Sequence, residues 1–262
     1  MRQSSLLLVV SAGALACAPP PDLGGLDTGA ADASAEGMGG GGESVGDEGE
    51  DALAGADLDA SRLDRTGAGG RCGFPSPGDA GYGTDVGQRL ENNAGLQLVD
   101  CEGNPLQLAD FFCERDGGGY NAAILLNIGA GWCAPCQEET REFPELYAEY
   151  HDRGIELVQV LFQDWTAQAP TKTFCADWSA GMWHSGGQTQ DVGLDLPFPV
   201  LLDQVNDWTA VYLQDPQSAT PVNMLIDANG NIRWKLEGQK PDVATLRTQL
   251  DLVLANPYGG GA

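Results

Sequence analysis

The sequence predicts an α/β domain with a central mixed β-sheet flanked by helices, and three stretches carry that prediction. Tyr120 to Ile128 (YNAAILLNI) is a nearly unbroken apolar run of strand length, as expected for a strand covered on both faces. Phe143, Leu146, Tyr147 and Tyr150 recur at i, i+3, i+4 and i+7, the stripe of a helix lying on a sheet. Val222 to Ile226, an Asn-Gly-containing turn and Ile232 to Lys235 read as a β-hairpin.

The elements before these follow in chain order. Arg2 precedes an apolar run from Leu6 to Ala16 that ends in Leu15-Ala16-Cys17. Such a run is too short for a bilayer core of ~30 Å, which needs about 20 residues of helix. A charged start, a short apolar middle and small residues at the end describe a secretory signal over residues 1–17. Residues 18–70 hold twelve acidic side chains against two basic ones and almost no aromatic or β-branched residues. This composition cannot bury enough apolar surface to offset its ordering entropy, so an acidic Gly/Ala/Asp-rich tether is expected, with a folded domain over 71–262. Asp57, Asp59 and Asp64 lack the spacing of a calcium loop. The whole chain carries 38 acidic and 13 basic residues, a formal charge of −25, which excludes a nucleic-acid binder.

Within the domain, Leu96 to Val99 and Leu106 to Phe112 suggest a strand and a short helix ahead of the central strand. Ile155 to Leu161 suits the next parallel strand. Pro170 to Met182 reads as a helix followed by a Gly-rich loop, and Pro241 to Ala255 as the closing helix.

Seven cysteines punctuate the chain. Cys133 and Cys136 form a C-x-x-C pair at a strand-to-helix junction, after Gly129-Ala130-Gly131 breaks the strand. At the positive end of a helix dipole, near unpaired N–H groups, Cys133 favours thiolate over thiol. Cys136 lies three residues on and can attack a mixed disulfide formed at Cys133. Pro135 fits the first helical turn, where its missing N–H costs nothing. Cys72, Cys101, Cys113 and Cys175 are an even number in a chain with an export signal, so structural disulfides are expected. Closeness in sequence favours Cys101 with Cys113 and hence Cys72 with Cys175, out of three pairings. Zinc would want a second close cysteine pair, and no metal is expected.

Trp132-Cys133-Ala134-Pro135-Cys136, after a buried strand and before an amphipathic helix, resembles the thioredoxin superfamily. Within it the chain is similar to the envelope-anchored redoxins of cytochrome c maturation, over roughly residues 83–255. The resemblance implies a thioredoxin-like fold with an N-terminal strand/helix extension and an inserted helix-loop before a cis-proline hairpin. It implies a thiol–disulfide oxidoreductase without cofactor, in which Cys133 attacks, Cys136 resolves, and Trp132 and Pro135 shape the loop. Pro221 would be the cis residue, and Thr220 before it would present backbone to substrate. Glu139 stands where those redoxins carry a functional glutamate; acidic residues favouring a helix start are the competing reading. Asn127 occupies the place of thioredoxin's buried aspartate and cannot titrate. Ile128 and Ala130 depart from the family's aromatic residues, and Pro144 falls eight residues after Cys136 instead of five. Peroxidase chemistry is disfavoured, because the Pro-x-x-x-Thr-x-x-Cys arrangement does not precede Cys133.

Leu15-Ala16-Cys17 resembles the lipobox of bacterial lipoproteins, although Ala14 stands where leucine is usual. This implies a lipid on Cys17 and a place in the bacterial cell envelope, facing the periplasm or the surface, with the lipid as the sole membrane contact. Expected partners are protein dithiols or disulfides and a membrane or soluble donor that recycles the pair. Two alternatives remain open: a tethered, non-catalytic binding lipoprotein on a redoxin fold, and a copper-delivery protein, for which His184 would be the lone candidate histidine.

Overall fold

The computed structural model describes residues 58–67, 72–77, 79, 81–91, 97–115, 118–185, 187–213 and 219–259. Cys17, the signal and residues 18–57 of the expected tether lie outside the described residues. Residues 58–67, expected as tether, belong to the fold. Asp64 accepts hydrogen bonds from Ser76 Oγ (2.5 Å) and from Arg89 Nη1 (3.1 Å), while its backbone N–H donates to Asn229 Oδ1 (2.7 Å). Arg65 donates to the carbonyls of Phe112 and Ala228. Mean composition hides these anchors: a few side chains with partners on the domain dock the end of a segment that is otherwise rich in small and acidic residues.

Among the described residues, eleven strands and five α-helices follow. A small parallel pair, β1 (Tyr82–Gly83) and β2 (Arg89–Leu90), precedes β3 (Leu98–Val99), β4 (Pro105–Leu106) and a 3-10 turn at Leu108–Phe112. The central strand β5 (Ala123–Gly129) leads into α1 (Ala134–Thr140) and α2 (Phe143–Tyr150). Then come β6 (Ile155–Leu161), α3 (Lys172–Ser179), β7 (Met182–Ser185), β8 (Gln188–Asp191), β9 (Val200–Leu202) and α4 (Thr209–Tyr212). The hairpin β10 (Val222–Asp227) and β11 (Ile232–Glu237) and the last helix α5 (Val243–Ala255) close the chain.

The main sheet runs β11-β10-β5-β6-β9-β3-β4. β5, β6 and β9 are parallel, while β10 and β3 are antiparallel to their neighbours, giving the mixed sheet of a thioredoxin-like α/β fold. Every residue of β5 and β6 is buried, the polar Asn127, Glu156 and Gln159 included. Alternation along β5 sends Ile124, Leu126 and Ile128 into one core with Phe74, Phe112 and Trp208, and Leu125 into the other with Phe143, Trp178 and Leu250. Each such aliphatic side chain contributes about 1.5–3 kcal/mol on burial. Among the described residues, no helix is long and apolar enough to cross a membrane.

The helix after the cysteine pair breaks at Pro144, the proline that departs from the family's spacing, because it offers no N–H and its ring excludes the carbonyl one turn back. The structure departs from expectation at two further places. The region after α3 is not a Gly-rich loop but a hairpin, β7 with β8, paired from Met182 with Asp191 to Ser185 with Gln188; Gly187, at a φ of 79°, allows its turn. The disulfides join Cys72 to Cys113 and Cys101 to Cys175, not Cys101 to Cys113 and Cys72 to Cys175. Nearness in sequence misleads here because the 3-10 turn faces Cys113 toward the segment around Phe74, while Cys101 lies against α3, its sulfur 3.5 Å from Ser179 Oγ.

Candidate active site

Two glycines let the chain turn from β5 into α1. A Cβ on Gly129 would lie 3.3 Å from both Cβ and Sγ of Cys136. On Gly131 it would lie 2.8 Å from the backbone of Asp164 and Trp165 and from the Phe174 ring, so the residue-163 loop sits hard against the cysteine loop. Trp132 spans the two: its indole donates to Gln163 Oε1 (2.8 Å) and its ring meets Phe162 edge-on.

Cys133 caps α1. Its sulfur accepts the backbone N–H of Cys136 (3.2 Å) and is bonded to the sulfur of Cys136. Cys136 is fully buried and Cys133 nearly so, while Ala134 and Pro135 are exposed at the tip. The Thr220–Pro221 peptide bond is cis. Because Val222 pairs with Ile128, Pro221 and Thr220 stand beside the end of β5 that leads into Cys133. Cys133, the helix terminus and the cis-proline edge therefore converge at one end of the sheet.

Behind the pair lies a buried polar chain. Glu139, one turn beyond Cys136 on α1, is 1% exposed. Its Oε1 accepts from Asn127 Nδ2 (2.6 Å) and its Oε2 from Asn223 Nδ2 (2.9 Å). Asn127 Nδ2 also donates to Asn223 Oδ1 (3.0 Å). Gln159 Nε2 donates to Asn127 Oδ1 (2.9 Å) and Thr140 Oγ1 (2.8 Å), and the Trp178 indole donates to Gln159 Oε1 (2.7 Å). Burial pushes the Glu139 carboxyl up to about 8; the amides of Asn223 and Asn127 pull it down, Glu142 adds to the rise and Lys240 opposes it.

This acid has a stability consequence. It ionises near pH 4.5 in the unfolded chain but near about 8 in the oxidised folded protein. The folded state thus holds a proton that the unfolded chain has released, and stability is lost as pH rises from 4.5 toward 8, by up to about 5 kcal/mol. Glu156, raised by burial to about 7, acts in the same sense. The urea midpoint of the oxidised protein is expected to be higher at pH 5 than at pH 8, with a shallower pH dependence in Glu139→Gln. Equal slopes in the two proteins would contradict this account of Glu139.

Of the residues expected from sequence, Cys133, Cys136, Trp132, Pro135, Thr220 and Pro221 come together, with Glu139 directly behind. Cys72 with Cys113 and Cys101 with Cys175 are bonded, as above. His184 is engaged elsewhere: it stacks on Trp165 at 5.4 Å and its Nε2 lies 3.1 Å from Thr189 Oγ1. Among the described residues, no three His, Cys, Asp or Glu side chains are placed to hold a metal ion. Sequence reasoning missed Asn223, Gln159 and Thr140. The available signal was a polar residue inside an otherwise apolar strand, Asn in VNMLI and Gln in LVQVL.

A C-x-x-C disulfide capping the first helix after the central strand of a thioredoxin-like sheet defines a thiol–disulfide oxidoreductase. The chain belongs to the AhpC/TSA family, whose model matches residues 86–235. It is 29% identical over 156 residues to the thiol-disulfide oxidoreductase ResA of Bacillus thuringiensis subsp. konkukian, covering 60% of this chain and 72% of that protein. ResA of Oceanobacillus iheyensis is 28% identical over 115 residues, covering 44% of this chain and 49% of that protein. A solved chain from Chlorobium tepidum, named for the DsbE thiol:disulfide interchange proteins, superposes with a TM-score of 0.47 at 21% identity, over 65% of this chain and 98% of its own.

Proposed function

We propose that this protein exchanges dithiol for disulfide with exported proteins in the bacterial envelope, through Cys133 and Cys136. The observation that carries the reading is the placement of Cys133 at the N-cap of α1, where the Cys136 N–H points at its sulfur. That donor and the helix terminus stabilise a thiolate. In the reducing direction the Cys133 thiolate attacks a substrate disulfide, forming a mixed disulfide and releasing one substrate thiolate. Cys136 then gives its proton to the Glu139 carboxylate and attacks Cys133 sulfur, releasing the second substrate thiolate and closing the Cys133–Cys136 disulfide. In the oxidising direction the same steps reverse, and neutral Glu139 protonates the departing Cys136 sulfur. Thr220 and cis-Pro221 offer the backbone edge beside Cys133 to an extended substrate segment; Trp132 and Pro135 frame it.

A secretory signal, a lipid on Cys17 and the acidic tether would hold the domain at a membrane surface, where a separate donor recycles the pair. The shared ancestry with proteins named ResA supports an exchange enzyme over a binding protein on the same fold. The test is reduction of insulin by dithiothreitol with catalytic amounts of the protein. Faster precipitation of the insulin B chain than with dithiothreitol alone is expected; an unchanged rate would contradict the proposal.

A further inference from the structure

The amide chain behind the cysteines has a direction, and its two ends fix it. At one end the Trp178 indole can only donate, so the atom it meets at 2.7 Å must be Gln159 Oε1. At the other end Thr140 gives its hydroxyl proton to the Cys136 carbonyl (2.7 Å), which can only accept. The Thr140 oxygen is thus left as an acceptor toward Gln159. Both constraints turn Gln159 Nε2 toward Asn127 Oδ1 and Thr140 Oγ1. With its oxygen taken, Asn127 turns Nδ2 to Glu139 and to Asn223 Oδ1, and Asn223 in turn aims its own Nδ2 at Glu139. Flipping any one of these amides would set donor against donor or acceptor against acceptor. Glu139 is therefore offered N–H donors at both oxygens.

We propose that Trp178 is a positioning residue for proton transfer at the Cys133–Cys136 pair: its donor-only indole, with the acceptor-only Cys136 carbonyl, locks the Gln159–Asn127–Asn223 chain in the orientation that favours Glu139 as a carboxylate. This rests on the reading of Glu139 as the proton carrier. The indole is well placed to hold a direction. It is fully buried, stacks on Trp183 at 4.8 Å, and sits one turn from Cys175, which a disulfide ties to Cys101. The Trp183 indole also donates to the Trp178 carbonyl (3.0 Å), bracing the end of α3.

The energetic logic is a balance. Burial favours the neutral acid and the two N–H donors favour the ion. The charged groups that face Glu139 are Glu142, at the start of α2, and Lys240, ahead of α5; these two are paired at 2.5 Å, and Glu138 of α1 acts on Lys240. Lys240 and Glu142 bond to each other and not to the amide chain. Without the indole donor, Gln159 can flip and Asn127 and Asn223 can follow, presenting amide oxygens to Glu139, one of which accepts the proton of the neutral acid. The ion then loses its donors and the acid gains an acceptor.

The test is the pH dependence of reduction of the oxidised protein by a small thiol, expressed per thiolate, in Trp178→Phe and Thr140→Val. The first keeps an aromatic ring and removes the donor; the second keeps the shape of the side chain and removes the other lock. The wild-type profile is expected to bend near about 8, where Glu139 loses its proton. Each variant is expected to move that bend upward by about 0.5 to 1 pH unit, the effect of one buried hydrogen bond. A residue that only packs would lower the melting temperature and leave the bend in place. A bend unmoved in both folded variants, yet abolished in Glu139→Gln, would overturn the role of Trp178 and leave Glu139 as the proton carrier. A bend that persists in Glu139→Gln would overturn that reading and this proposal with it.

Discussion

Cys133→Ser is expected to remove insulin reduction altogether, a loss on the order of 10³-fold or more, because a serine hydroxyl is not ionised near neutral pH and forms no disulfide. The variant retains its capping geometry: a serine oxygen at the α1 N-cap accepts the Cys136 N–H as the sulfur does at 3.2 Å. Loss of activity should therefore come without loss of the fold. Cys136→Ser is expected to behave differently. It can still be attacked through Cys133, but nothing resolves the product, so the protein accumulates as a mixed disulfide with the substrate. Gel-shift or mass analysis of both variants after exposure to oxidised insulin separates the roles. An active Cys133→Ser protein, or mixed disulfides on Cys136 in its place, would reverse the assignment.

Glu139→Gln carries the second largest expected effect. In the oxidised protein the acid is held up to about 8 by burial, so at neutral pH it is mostly neutral and able to protonate Cys136 as that sulfur leaves. The rate per thiolate should be flat below about pH 7 and fall above about 8 as Glu139 ionises. Glutamine keeps the shape and cannot supply the proton, and the expected loss is about 10²-fold, with no bend in the profile. The amide also brings an N–H group against the donors of Asn127 or Asn223, which adds a modest loss of stability. Stopped-flow measurement from pH 6 to pH 9 reads both quantities. A variant with wild-type rate and profile would show that Glu139 carries no proton for the cysteine pair.

Local pattern carried the fold where the physics is local. β5 was legible from a nearly unbroken apolar run and β6 from its alternation, and each is buried along its full length. The β10–β11 hairpin was legible from its turn, where Gly230 sits at a φ of 80°. The split of α1 from α2 followed from one proline, Pro144. What stayed hidden was set by long-range packing. The pairing of Cys72 with Cys113 depends on how the first segments fold back over the sheet, which no spacing encodes. The docking of residues 58–67 rests on Asp64 and Arg65 finding partners 12 to 165 residues away. The candidate site divided in the same way. The cysteine loop and Pro221 stand in motifs, and Glu139 lies one helical turn from Cys136. Asn223 of β10 and Gln159 of β6 are joined to it only by separate elements meeting in space, while Thr140 follows it on α1. The trace of the two amides in the chain is polarity in an apolar strand, which is costly unless every group finds a partner. Here the partners are one another.

The central claim is that Cys133 and Cys136 form a reversible redox couple while the other bonded cysteines do not. Alkylation and mass spectrometry across a graded thiol–disulfide buffer test it most directly, with Cys72–Cys113 and Cys101–Cys175 as internal references. The account predicts that the Cys133–Cys136 pair alone titrates between about −270 and −120 mV, with the two references oxidised throughout that range. A Cys133–Cys136 bond that stays closed across the whole series, as the references do, would contradict it.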